Sequence, residues 1–155
     1  MFDVERAIAA ARPFLPAAFN AAGARHISFG SHCSESEVQK LVAQAGNSQV
    51  VIGVGGGALL DTVKAVARRL NVPVVVIPTI AATCAAWTPL SVWYNDAGQA
   101  LRFEIFNDAN HLVLVEPEII LRAPQGIYRI ETSVAVNGKP ANTRINNVQL
   151  VKVFS

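Results

Sequence analysis

The sequence predicts an α/β fold: a partial parallel sheet with flanking helices, plus a β-hairpin and a β-rich C-terminal tail. Three observations predict it. Short apolar runs rich in Val and Ile recur at residues 50–52, 74–77 and 112–115, as in strands buried on both faces. Residues 58–70 place Leu59, Leu60, Val63, Val66, Ala67 and Leu70 at helical spacing between the first two runs. Past Gly126 the pattern turns to closely spaced β-formers. Strands alternating with helices join through right-handed crossovers into one sheet, here of about four parallel strands.

Taken in order, residues 4–19 have a helical pattern broken around Pro13 and Pro16, because proline lacks the backbone donor and crowds the preceding turn. Gly23 marks a stop, and residues 24–29 form a short strand candidate. Ser34 followed by Glu37 is a capping-box pattern that opens a helix to about Ala45. Gly46, Asn47 and Ser48 turn the chain into the strand at 50–52, which Gly53, Gly55, Gly56 and Gly57 then interrupt ahead of the helix 58–70. Asn71, Val72 and Pro73 lead into the strand 74–77. Residues 78–90 are small, hydroxylated and apolar, with Pro78 and Pro89 near their ends. They begin where a strand ends, and loops at the carboxyl ends of parallel strands are where ligands bind in open α/β sheets. Residues 91–94 and 101–106 alternate around Asn95, Asp96, Ala97 and Gly98, a hairpin pattern. The run 112–115 is the third buried strand, followed by Glu116, Pro117, Glu118 and a short helix to Leu121. In the tail, residues 128–136 and 148–154 read as strands, with an Asn137-Gly138 hairpin signal and a polar stretch between them.

Composition excludes several classes. Hydrophobic residues make up 52% of the 155 and charged residues 15%, which is incompatible with a disordered chain. A net charge of +2 with no Lys/Arg cluster argues against nucleic acid as a partner. No apolar run approaches the roughly 20 residues of a membrane span, and the first residues lack the basic start of a signal peptide. Cys33 and Cys84 lie far apart without other disulfide candidates, which points to a reducing cytoplasm.

The glycine run carries the chemistry. Strand, glycine turn and helix together present backbone N–H groups and a helix N-terminus to an anion. Glycine permits positive φ and lets a diphosphate reach the main chain without meeting a Cβ. The pattern is neither G-x-G-x-x-G nor a Walker loop. A glycine-rich turn also serves simply to pack a helix closely on a sheet, and both readings stand at this point. Asp61 and Lys64, one helical turn apart, read as an i,i+3 ion pair, with a role near the phosphates as the alternative. His26, His32 and His111 have no metal-ligand spacing and read as surface or turn residues. Trp87 and Trp93 could line a pocket or fill the core.

Gly55, Gly56 and Gly57 with Asp61-Thr62-Val63-Lys64-Ala65, then Pro78-Thr79-Ile80-Ala81 and Leu90-Ser91-Val92-Trp93-Tyr94, resemble the glycerol dehydrogenase branch of the iron-containing-type, metal-dependent alcohol dehydrogenases. Cys33 to Glu37 and Thr83 to Pro89 resemble its hydroxycarboxylate dehydrogenase A subgroup more closely. The resemblance runs from about Arg6 to Gln125. It implies a Rossmann-like nucleotide-binding domain at 1–125, with Gly55, Gly56 and Gly57 at the pyrophosphate of NAD or NADP. It places Thr79, Thr83, Thr88, Leu90 and Tyr94 at positions that touch the cofactor. Cys84 stands where glycerol dehydrogenases carry a substrate-contacting Asp, and Ala82 where they often carry Ser. Loss of that carboxylate suits an anionic 2-oxo acid, which an Asp would repel.

The resemblance further implies a divalent metal held by a helical domain whose Asp and His ligands have no counterpart here. The matching positions supply no metal ligand and no catalytic residue. The expected reading is therefore an incomplete nucleotide-binding domain joined to a β-rich tail, 126–155, that departs from the family. The activity implied is NAD(P)-dependent interconversion of a 2-oxo acid and a 2-hydroxy acid, or of a small polyol. The alternative is a non-catalytic nucleotide-binding or interaction remnant. A small-molecule substrate and self-association through exposed strand edges complete the expected partners.

Overall fold

In the computed structural model the described residues are 9, 11–14, 24–30 and 32–123, together with the backbone of 130–136 and 139–145. After a 3-10 turn at Arg12–Phe14 come helix α1 (Glu35–Ala45), strand β1 (Val51–Gly55) and helix α2 (Gly57–Leu70). Strand β2 (Val74–Pro78), the hairpin strands β3 (Leu90–Tyr94) and β4 (Ala100–Ile105), strand β5 (Leu112–Val113) and helix α3 (Pro117–Leu121) follow. The chain divides into two units, Met1–Ala123 and Pro124–Ser155. In the second, β6 (Ile130–Val136) pairs antiparallel with β7 (Lys139–Ile145), Val136 opposite Lys139.

The first unit is built on a three-stranded parallel sheet in the order β1-β2-β5. Its register runs from Val51 opposite Val74 to Gly55 opposite Pro78, and β5 pairs Leu112 with Val75. Among the described residues this sheet has three strands, not the four expected. The run 112–115 is not a fully buried strand: only Leu112 and Val113 pair, and Leu112 is 49% exposed. β1 likewise leaves Ile52 40% exposed. Among the described residues both strands are sheet edges, and each face is covered only where a helix or loop reaches it.

One face carries α2, where Leu59 and Leu60 pack with Val76, Ala85 and Ala86. The opposite face is covered toward the carboxyl ends of the strands, by Ala11, Phe14 and Ile119 over Val54, Val75 and Ile77. Ile52, farther down β1 on that face, and Val50, just before the strand, stay exposed. A third cluster joins Val38 and Leu41 of α1, Ala65 and Val66 of α2, Cys33 and Trp93. Each fully buried aliphatic or aromatic side chain there contributes about 1.5–3 kcal/mol.

Ser34 caps α1 as expected, its hydroxyl accepting the Glu37 N–H at 3.3 Å. The reciprocal half of the box is diverted. Glu37 accepts from the Gly30 N–H at 2.7 Å, and the Ser34 N–H donates to the His32 carbonyl at 2.9 Å. This explains why residues 24–29 form no strand: Glu37 holds Gly30, and Arg25 donates to the Ala45 carbonyl at 2.7 Å. The segment is tied to α1 by side chains, with Ile27 and Phe29 on the core. Of the helix expected over 4–19, Ala9 and Ala11 are helical and the chain tightens at Pro13; the rest lies outside the described residues.

The hairpin forms as expected, Asn95 Oδ1 accepting the N–H groups of Ala97 and Gln99. Gly98 takes φ +79°, where a side chain would be strained. In the tail β6 pairs with the polar stretch Lys139–Ile145, which was not expected as a strand; the expected strand at 148–154 lies outside the described residues. Residues 139–145 follow β6 more closely in the chain than residues 148–154, and a short connection favours pairing of the nearest residues, whatever their polarity. Among the described residues no helix is long and apolar enough to cross a membrane.

Candidate functional site

β1 ends at Gly55, Gly56 caps α2 with φ −86° and ψ −178°, and the helix begins at Gly57. Gly56 offers no side-chain acceptor, and the first intrahelical bond runs from the Leu60 N–H to the Gly56 carbonyl at 3.0 Å. The N–H groups of Gly57, Ala58 and Leu59 therefore precede the ladder, at the positive end of a 14-residue helix.

None of Gly53, Gly55, Gly56 and Gly57 takes positive φ; Gly46 and Gly98 are the described glycines that do. Space, not backbone conformation, is what glycine provides in this turn. A Cβ on Gly53 would meet Val63 Cγ2 at 2.4 Å, and one on Gly55 would meet Leu59 at 3.1 Å, so these two let α2 lie close on β1. A Cβ on Gly56 would meet Ile80 Cδ1 at 3.1 Å, and one on Gly57 would meet Thr83 Oγ1 at 2.8 Å. These two let the loop after β2 approach the head of the helix. Helix packing and loop approach thus fall to different members of one run.

The loop is anchored at its start by the Thr79 N–H, which donates to the Gly55 carbonyl at 3.0 Å, and Thr79 is buried. Thr83 Oγ1 accepts the Ala85 N–H at 3.3 Å. The Cys84 carbonyl accepts from the Trp87 and Thr88 N–H groups at 2.9 and 3.2 Å, and from the Thr88 hydroxyl at 3.2 Å. Gly55, Gly56, Gly57, Thr79 and Thr83 are thereby gathered at one end of α2. Cys84 and Trp87 are exposed on the loop, while Thr88 and Leu90 are half-buried. Tyr94 stands at the other end of β3 from Leu90. Its N–H donates to the Cys33 carbonyl at 2.8 Å, and its ring centroid is 6.0 Å from that of His32.

Asp61 and Lys64 do form the expected i,i+3 pair, at 2.9 Å, but it is buried and faces the loop. The Lys64 ammonium donates to loop carbonyls, which takes it out of the alternative role at phosphates. The sequence carried a signal for this: Lys64 falls four residues after Leu60 and three before Ala67, on the stripe that packs the sheet and loop. Ile80, whose contact with Gly56 helps shape the turn, had no such signal.

Trp93 belongs to the core, its Nε1–H donating to Glu104 at 2.9 Å and its ring flanked by the Arg69 and Arg102 guanidinium groups. His26 and His111 are exposed and His32 is half-buried. Burial pushes the Cys33 thiol up to about 11, partly offset by a hydrogen bond with Thr62. Among the described residues no group of three or more His, Cys, Asp and Glu could hold a metal ion. The described residues do not fit a metal.

Residues 8–117 match the model of the iron-containing alcohol dehydrogenases. The chain belongs to that family. It is 72% identical over 122 residues to hydroxycarboxylate dehydrogenase A of Escherichia coli K12, which covers 78% of this chain and 34% of that protein. It is 43% identical over 97 residues to a glycerol dehydrogenase of Thermotoga maritima, 62% of this chain and 27% of that protein. Among solved structures, glycerol dehydrogenase from Schizosaccharomyces pombe superposes with a TM-score of 0.58 at 36% identity, covering 63% of this chain and 25% of that one. An iron-containing alcohol dehydrogenase from Corynebacterium glutamicum, at 22% identity and a TM-score of 0.62, shares the fold over 77% of this chain and 33% of that one. The chain therefore spans about a third or less of the length of these relatives.

Proposed function

We propose that this chain is the nucleotide-binding part of an NAD(P)-dependent oxidoreductase that interconverts a 2-oxo acid and a 2-hydroxy acid, or a small polyol. The observation that carries this reading is the Gly56-Gly57 turn. It leaves the head of α2 bare of side chains while Ile80 and Thr83 wall it from the loop side. In this role Gly55, Gly56 and Gly57 lie against the pyrophosphate of NAD or NADP, and the free N–H groups of residues 57–59 hold it, favoured by the helix dipole. Thr79, Thr83, Thr88, Leu90 and Tyr94 contact the nicotinamide half, and Cys84 presents a neutral side chain to the substrate carboxylate. The nicotinamide, when bound, supplies or accepts the hydride. The named relatives, a hydroxycarboxylate dehydrogenase and a glycerol dehydrogenase, support this substrate class.

A second reading, nucleotide binding without turnover, is favoured by the lack of a metal-ligand cluster among the described residues. One experiment orders the two. The chain is titrated with NADH and NADPH while energy transfer from Trp87 and Trp93 is followed, with Gly56→Val as control. Saturable transfer, weakened at least about tenfold in the variant, supports the working turn; no transfer at roughly millimolar nucleotide sinks it. Assays with 2-oxo acids and added divalent metal then separate turnover from binding alone.

A further inference from the structure

The loop after β2 has an irregular backbone, yet several of its carbonyls converge on one point inside the protein. Lys64 Nζ donates to the carbonyls of Ala85 at 2.9 Å and Thr88 at 3.1 Å, and also to that of Leu90. An ammonium has three protons, and three carbonyls take them. The side chain is 2% exposed, so its charge requires a buried counterion. Asp61, one turn earlier on α2, provides it with Oδ1 at 2.9 Å from Nζ. That oxygen has no hydrogen bond of its own, because the lysine's protons are aimed at the loop. The other oxygen, Oδ2, accepts the Val92 N–H at 3.2 Å, and the Asp61 carbonyl accepts the Ser91 hydroxyl at 2.7 Å.

We propose that Asp61 and Lys64 are a positioning pair that holds residues 79–90 over the glycine turn in the shape that receives a nucleotide. The loop is pinned at both ends from one helix. Its near end rests on Gly56 and Gly57 through Ile80 and Thr83. Its far end, where it enters β3, is clasped by Lys64 and Asp61. A change at the clasp therefore moves the wall of the turn without touching any group at the turn itself. Other side chains do not replace the pair. Methionine leaves three carbonyls without a donor, and the planar fork of arginine does not converge on three acceptors around a point.

The proposal rests on the nucleotide reading for its purpose, and the test keeps the two apart. Hydrogen exchange of the intact chain is compared with that of Lys64→Met and of the charge-free double variant Asp61→Asn/Lys64→Met, and NADH affinity is measured on all three. The single variant leaves Asp61 buried without its counterion and serves only if it folds; the double variant removes both charges. The expected result is that amides of residues 84–92 exchange at least tenfold faster in the double variant, while those of α2 keep their rate. NADH affinity then falls at least tenfold. Loop exchange unchanged in a folded double variant overturns the proposal, as does a freed loop with unaltered NADH affinity. If neither variant folds, exchange in the intact chain decides: a Val92 amide exchanging more than tenfold faster than those of α2 overturns it, and equal protection supports it. If the intact chain binds no NADH, the nucleotide reading fails by itself and the positioning pair stands or falls on exchange alone.

Discussion

Gly53 lies so close beneath Val63 that a Cβ on the glycine would sit 2.4 Å from Val63 Cγ2. Val63 is half-buried on α2, a β-branched side chain held to one preferred rotamer in a helix. Gly53→Ala therefore forces α2 away from β1 or Val63 off its rotamer. The expected cost is about 1–3 kcal/mol of stability, as for other overpacked cores. Urea unfolding of the variant measures it, and a midpoint equal to that of the unmodified chain would mean that Val63 yields freely.

Gly57 is expected to respond differently. The atom its Cβ would meet, Thr83 Oγ1 at 2.8 Å, belongs to an exposed side chain on the loop. The loop can shift into solvent, and alanine favours the helix over glycine by roughly 1 kcal/mol. Gly57→Ala is thus expected to leave stability within about 1 kcal/mol of the unmodified chain. Under the proposed function it weakens NADH binding about tenfold, the equivalent of 1.4 kcal/mol, by pushing the wall off the turn. Paired thermal melts and NADH titrations separate the two effects; a large loss of stability with unchanged affinity would reverse the assignment.

What could be read from the sequence followed from local physics. The strand-glycine-helix unit at 51–70, the Ser34 cap and the Asn95 turn depend on residues a few positions apart, and each appears in the structure. The sequence could not show where a long-range partner would divert a group. Glu37 had a local role available at Ser34 and is drawn to Gly30 instead. Residues 24–29 had β-formers but pair with no strand among the described residues. The runs at 50–52 and 112–115 looked buried on both faces because apolar content says nothing of position in the sheet, and among the described residues β1 and β5 are its edges. The glycine turn was legible as a turn, but the division of its residues between helix packing and loop approach needed Val63, Ile80 and Thr83 in place. Asp61 and Lys64 were legible as a pair and not as a clasp, since their carbonyl partners lie 21 to 26 residues beyond Lys64.

Trp93 ties α2 to the hairpin. Its ring is 2% exposed, with Arg69 at 5.5 Å and Arg102 at 4.7 Å from the centroid, and its indole N–H donates to Glu104 at 2.9 Å. Glu35 closes the cluster, its Oε2 accepting from Arg69 Nη2 at 2.9 Å, and this hydrogen bond holds its carboxyl below the usual range. Trp93→Phe keeps a ring but removes the donor and part of the cation–π surface. The expected loss is about 1–3 kcal/mol, because Glu104 also loses its partner. Arg102→Ala, more than half exposed, is expected to cost no more than about 1 kcal/mol. Urea unfolding of both variants tests the ranking, and an equal cost for the two would place the energy in the charges and not in the indole.

Cys33 makes stability fall at alkaline pH. Its thiol lies in the core among Val38, Leu41 and Trp93, and burial pushes it up to about 11 against an ordinary value near 9. Between those values the unfolded chain gives up the proton while the folded chain keeps it. The unfolded state then binds fewer protons, so stability declines as pH rises from about 9 to about 11, by an amount on the order of 2 kcal/mol from this group. Below about pH 8 the thiol is protonated in both states and contributes no slope. Cys33→Ala leaves a small cavity at every pH, so the quantity to compare is the slope. Urea unfolding at several pH values between 8 and 11 should show the variant declining less steeply than the unmodified chain. Parallel slopes would mean that the buried thiol ionises in place, with water or a nearby donor stabilising the thiolate. A thiol reagent at neutral pH offers a second check, since exposed Cys84 should react in the folded chain and Cys33 only after urea is added.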